Sequence, residues 1–145
     1  MKAVIQRVKK AICEVDGKVV SHIDRGVLIF LGVEKGDTLE RTQKLAYKCA
    51  NLRIFEDTNG KMNLSVNDVG DNVMVISQFT LCVECKKGLR PSFDNAEECN
   101  QASILYKKFI ELLKNQCLKV QEGIFGEKML ISLENDGPVT FILSE

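Results

Sequence analysis

The sequence predicts an α/β (α+β) fold, with a mixed, largely antiparallel β-sheet and two main helices in a single domain spanning residues 1–145. Three observations predict it. Period-two alternation of apolar and polar residues opens and closes the chain, and apolar runs at residues 27–33 and 73–76 lie between. Two further stretches, near residues 39–52 and 102–113, repeat apolar residues at helical spacing.

Residues 2–8 and 11–15 alternate like two strands, and Asp16-Gly17 is a hairpin turn signal that returns the chain as a strand from Val19 to Ile23. Val27-Leu28-Ile29-Phe30-Leu31-Gly32-Val33 is apolar throughout, the signature of a strand buried on both faces. Asp37 and Glu40 have the spacing of a capping box and predict a helix start, with Leu39, Leu45, Ala46, Cys49, Ala50 and Leu52 as its apolar face. Arg53-Ile54-Phe55 predicts a short strand, and Asp57-Thr58-Asn59-Gly60 a turn. Asn72 to Gln78 predicts a central strand, and the polar stretch 82–93 a loop. Asp94 and Glu97 mark a second helix start, and Ala102, Leu105, Phe109, Leu112 and Leu113 keep helical spacing to about residue 117. Strands near 119–124, 129–134 and 139–144 close the chain.

Bulk composition narrows the function. Twenty basic and 20 acidic residues give zero net charge, which argues against a protein that coats nucleic acid by charge alone; no DNA partner is expected. The N-terminus alternates with polar residues too soon for a signal sequence, and no apolar stretch approaches the ~18–20 residues of a membrane span, so the chain reads as cytoplasmic. Six cysteines without a secretory signal read as free thiols, with Cys49 and Cys117 as small core residues. Cys82-Val83-Glu84-Cys85 is a lone pair; a four-ligand zinc site needs a second one, so no metal and no cofactor is expected.

The chemistry-bearing candidates are few. The sole histidine, His22, lies in a hairpin strand far from every polar cluster, so a Ser-His-Asp or Cys-His arrangement has no support. Neither glycine-rich phosphate loop pattern is present. Ser77-Gln78-Phe79-Thr80 follows the apolar strand and precedes the polar loop, the place where ligands bind in α/β sheets. Backbone N–H groups leaving a ladder there suit a developing oxyanion, although Ser and Thr also simply end strands. Lys86, Lys87 and Arg90 follow, and suit either phosphate contact or a solvated loop. Pro138, one of only two prolines, stands at the mouth of the last strand in Asn135-Asp136-Gly137-Pro138-Val139-Thr140. By itself this is a strand-starting turn; a rigid Gly-Pro step also holds backbone carbonyls in a fixed direction.

Ser77-Gln78-Phe79-Thr80-Leu81 and Asn135-Asp136-Gly137-Pro138-Val139-Thr140, in this order and at this length, resemble the paired signatures of the D-aminoacyl-tRNA deacylase family, whose early members were called D-tyrosyl-tRNA(Tyr) deacylases. The resemblance covers the whole chain, including Met1-Lys2-Ala3-Val4-Ile5-Gln6-Arg7-Val8, Asn51-Leu52-Arg53-Ile54-Phe55-Glu56-Asp57 and Arg90-Pro91-Ser92-Phe93. It implies a homodimer that hydrolyses the ester joining a D-amino acid to the 3′-terminal adenosine of tRNA, with active sites at the subunit interface. It implies a cis Gly137-Pro138 that enters the neighbouring subunit's pocket and excludes L side chains while admitting D-amino acids or glycine. Arg7 matches the position that fixes that turn, and Asn135, Val139 and Thr140 belong to the same motif. Catalysis would use N–H groups near Phe79 and Thr80 with help from the tRNA 2′-hydroxyl, while Gln78 shapes the pocket; the alternative makes Thr80 the nucleophile, which needs an adjacent base. The sequence departs from the family pattern at Cys82-Val83-Glu84-Cys85, leaving tRNA preference open. Outside the family reading stand a non-catalytic amino-acid pocket and an RNA-binding module built on Lys86, Lys87 and Arg90.

Overall fold

A computed structural model describes residues 1–84, 89–116 and 118–145. The two opening strands are one: β1 (Lys2–Val15) runs for 14 residues, and its pairing with the last strand slips on either side of Val8. The irregularity changes the strand's facing. Ala3 and Ile5 join the core on one side of the sheet, and Val8, Ala11 and Cys13 join the core on the other. β2 (Lys18–Ile23) and β3 (Gly26–Gly32) both pair antiparallel with β1, and His22 stands exposed on β2 opposite Ile12.

Helix α1 (Leu39–Asn51) is capped by Thr38, whose hydroxyl accepts from Arg41 N–H, and not by Asp37 as expected. The Asp37 carboxylate is taken up elsewhere: it holds the Met1 ammonium at 2.6 Å and accepts from Glu34 N–H at 2.7 Å. Glu40 turns outward to Lys44 at 2.7 Å. The expected strand at Arg53-Ile54-Phe55 begins only at Phe55, in the small ribbon of β4 (Phe55–Glu56) and β5 (Met62–Leu64). A one-turn helix, α2 (Val66–Val69), follows, and Ser65 and Asp68 close a reciprocal capping box at its start.

β6 (Asn72–Ser77) then pairs parallel with β3. Parallel neighbours need a long crossover, which α1 to α2 provide, and burial on both faces explains the unbroken apolar runs of β3 and β6. Helix α3 (Cys99–Lys114) starts later than Asp94 and Glu97 predict and stops short of residue 117. Asp94 instead accepts from the Ser92 hydroxyl at 2.7 Å, while Glu97 N–H donates to Val33 O at 3.0 Å and keeps the chain extended. β7 (Lys119–Glu122) adds parallel to β6. The last two expected strands merge into β8 (Leu130–Ser144), which pairs with β1 along its length. The sheet order is β2-β1-β3-β6-β7, with β8 on β1.

Alternation divides each central strand between two cores. Val27, Ile29, Leu31, Val73 and Val75 meet the buried faces of α1 and α3, including Leu45, Ala46, Cys49, Tyr106 and Phe109. Leu28, Met74 and Ile76 face the other way, against Met129, Ile131 and Leu133. No helix among the described residues is long and apolar enough to cross a membrane.

Candidate active site

The buried run of β6 ends at Ser77, and the chain turns at once into a 3-10 turn, Phe79–Cys82. Gln78 N–H still donates to Leu31 O at 2.8 Å, and the turn's first bond runs from Leu81 N–H to Gln78 O at 3.2 Å. The Phe79 and Thr80 N–H groups therefore lie after the sheet ladder and ahead of the turn's own ladder, as donors at a strand end. Two features seat the turn. Cys82 is fully buried and its Sγ–H donates to Val33 O at 3.3 Å; burial pushes this thiol up to about 11. Gly32 lets the turn approach: a Cβ there would lie 3.0 Å from Cys82 Sγ, Gln78 O and Leu81 Cβ.

The Thr80 hydroxyl accepts from Gln78 Nε2 at 2.5 Å. An amide N–H cannot take a proton from it, so this contact supplies no base. Phe79 is 59% exposed and meets Phe93 edge-on, ring centroids 5.0 Å apart. Beside the strand end lies a cavity of about 280 Å³, walled mainly by Leu31, Val33, Ala102, Tyr106 and Phe125, with Ser77, Gln78 and Phe79 on one side. The Tyr106 hydroxyl is turned away from chemistry: it donates to Val75 O at 2.9 Å, and burial raises its pKa well above the usual phenol range. A smaller cavity of about 160 Å³ touches Ser77, Gln78 and Phe79 from the opposite face of the sheet.

The second segment sits mid-strand in β8. Gly137-Pro138 is cis and exposed, while the following Val139 is fully buried. Arg7, 6% exposed, reaches it from β1. Arg7 Nε lies 2.8 Å from the Asp136 carboxylate and donates to Asp136 O at 3.2 Å, and Nη1 donates to Ile54 O at 2.6 Å. Asn135 Nδ2 donates to Arg7 O and Val139 O at 3.1 and 3.2 Å, bracing the step from within. Thr140 accepts from Gln6 Nε2 at 3.1 Å on the neighbouring strand.

One chain does not bring the two segments together. Arg7 and Val73 both register with Val27, so the Gly137-Pro138 level lies four residues back from Ser77 and on the far side of β1. Strand rise and spacing put the segments on the order of 15–20 Å apart. Lys86 and Lys87 lie outside the described residues, as do Cys85 and Cys117. Arg90 is exposed and borders a polar cavity of about 220 Å³ with Glu84, Ser92 and Asp94. Among the described residues no group of three or more His, Cys, Asp or Glu is placed to hold a metal ion.

Sequence reasoning missed the residues that shape the site from beneath. Gly32 and Val33 belong to an apolar run and read there as plain strand residues, and no pattern marks Tyr106 or Phe125 as lining a site. Ile54 O enters through its carbonyl, which no side-chain pattern advertises.

Known proteins match this arrangement over its full length. The family model described as D-Tyr-tRNA(Tyr) deacylase matches residues 4–144. A D-aminoacyl-tRNA deacylase of Persephonella marina is 57% identical over 143 residues, covering 99% of this chain and 97% of the relative. One of Aquifex aeolicus is 55% identical with the same coverage. Among solved structures, the c-Myc DNA Unwinding Element Binding Protein superposes with a TM-score of 0.93 at 39% identity, over 100% of this chain and 99% of that one.

Proposed function

The chain belongs to the D-Tyr-tRNA(Tyr) deacylase family, and from that premise we propose how its geometry frees a D-amino acid from tRNA. It is a D-aminoacyl-tRNA deacylase, a hydrolase of the ester between the amino acid and the tRNA 3′ end. The terminal adenosine occupies the apolar cavity beside Ser77, and the ester carbonyl points at the Phe79 and Thr80 N–H groups. Water adds to that carbonyl, the N–H pair stabilises the oxyanion, and the ester C–O bond breaks as the tRNA oxygen regains a proton. The substrate's own 2′-hydroxyl assists the water, and Gln78 and Ser77 shape the pocket.

The observation that carries this mechanism is the partner of Thr80: its hydroxyl accepts from an amide, which supplies no base. The alternative, Thr80 as nucleophile, needs that base. An aminoacyl ester is already activated, so oriented donors suffice.

Selectivity comes from a second copy of the chain. Its exposed Gly137-Pro138 enters the pocket, and its carbonyls clash with an L side chain while leaving room for a D side chain or for glycine. Two features support the homodimer. The two segments are too far apart in one chain to share a substrate. A row of apolar side chains, Ile142, Val4 and Phe30, also lies on one face of the sheet in direct register, with Ile142 76% exposed. Arg90 is placed for a tRNA phosphate. The DNA binding that gives the structural neighbour its name is a property of that protein; this chain, at zero net charge, has no general excess of positive charge for coating a duplex.

The test is release of D- and L-amino acid from matched aminoacyl-tRNAs. D-selective release that survives a metal chelator is expected. Binding without release would leave a non-catalytic pocket or RNA-binding module, and equal release of both enantiomers would remove the selective role of Gly137-Pro138.

A further inference from the structure

The cavity beside Ser77 is apolar from Leu31 to Phe125, yet Glu97 opens onto it, the one carboxylate among the described residues that line it. Glu97 is fixed in place by two bonds. Its N–H donates to Val33 O at 3.0 Å, and its Oε1 accepts from Glu98 N–H at 2.9 Å. A carboxylate offers about four acceptor sites, so acceptor capacity remains on a residue that lines the cavity.

An anionic acceptor on the wall of an apolar, aromatic-lined slot selects a flat ring that carries an N–H donor. Adenine is such a ring, with an exocyclic amine on its edge. We propose that Glu97 accepts a hydrogen bond from that amine and so positions the 3′-terminal base. The inference rests on the deacylase mechanism above and adds a residue to it. The competing donor on the same substrate, the α-ammonium, is two bonds from the ester carbonyl and belongs near the 3-10 turn. Glu97 lies on the segment leading into α3, at the wall shared with Val33 and away from the 3-10 turn in sequence.

The experiment compares D-tyrosyl-tRNA ending in adenosine with D-tyrosyl-tRNA ending in inosine, whose C6 carbonyl replaces the amine. The wild-type protein is expected to favour adenosine by about tenfold in kcat/KM, the range for a hydrogen bond to a charged acceptor. Glu97→Gln presents an amide that can donate to the carbonyl, so the ratio should collapse toward one, with the inosine substrate gaining. Thermal midpoint and D/L selectivity should hold. Equal use of both substrates by the wild type, or an equal loss on both in Glu97→Gln, overturns the assignment; the second pattern is the one an α-ammonium contact gives. A wild-type protein that releases no D-tyrosine from the adenosine substrate overturns the deacylase mechanism instead, so the two failures are distinct.

Discussion

The Gly137-Pro138 step and the Ser77–Cys82 turn are the two backbone devices of the proposed mechanism, and they are held in opposite ways. The first is exposed and gripped by side-chain hydrogen bonds: Arg7, distant in sequence, spans Asp136 and Ile54, and the adjacent Asn135 ties Arg7 O to Val139 O. The second is held from beneath by packing, with Gly32 admitting the turn and the buried Cys82 anchoring its end. A clamp of hydrogen bonds fixes direction, as a selectivity filter requires. A packed seat fixes depth, as donors aimed at an oxyanion require.

Substitutions can separate these devices. The largest effect is expected from Arg7→Ala, which strips a nearly buried guanidinium from Asp136 and Ile54. It should cost about 3 kcal/mol in denaturant unfolding and reduce D/L discrimination more than the rate on D substrate. An unchanged discrimination ratio would show that the clamp is structural only. Gly32→Ala should do the reverse. A Cβ against three atoms at 3.0 Å makes the turn give by a few tenths of an ångström, which should cost about tenfold in kcat with discrimination among surviving turnovers preserved. Asn135→Ala leaves two carbonyls without their donor and should cost about 1–2 kcal/mol, with a milder loss of discrimination than Arg7→Ala.

Alkaline pH should act on the packed seat through the buried Cys82 thiol. Burial raises Cys82 to about 11 and Cys49 to about 12, from 9.0 in the free thiol. Below pH 9 both thiols keep their protons folded and unfolded, so their full contribution is present. As pH climbs through the folded values the unfolded chain releases protons first and stability falls. Urea midpoints measured from pH 7 to 10.5 should be flat and then decline, and Cys82→Ala should flatten that decline. Thr80→Ala is expected to do least, a drop of under about tenfold in kcat. Complete loss of turnover in a folded, tRNA-binding variant would make Thr80 the nucleophile.

The long-range half of this contrast was hard to read from sequence. Apolar runs located β3 and β6, and helical stripes located α1 and α3, because burial imposes a period on side chains. Asp37 misled because a residue with cap spacing was claimed by the Met1 ammonium across the fold. Asp94 misled because a local hydrogen bond to Ser92 outcompeted helix initiation. The expected breaks in β1 and β8 arose from an irregularity near Val8 that shifts alternation without ending either strand. At the site, Ser77–Thr80 and Gly137-Pro138 were visible as motifs. Their supports were not, since Ile54 acts through a carbonyl and Gly32 through the absence of a side chain.

Strand β8 carries Gly137-Pro138 and, a few residues on, the exposed Ile142. In the proposed dimer one continuous element would thus deliver both the filter and an apolar side chain of the shared face. On the arrangement proposed above chirality checking obeys mass action: each filter is in place only as often as two chains meet, the paired fraction falls with the square of protein concentration once dimers dissociate, and dilution should erode D/L discrimination. A cell that lowers the amount of this protein would then lose proofreading faster than it loses polypeptide.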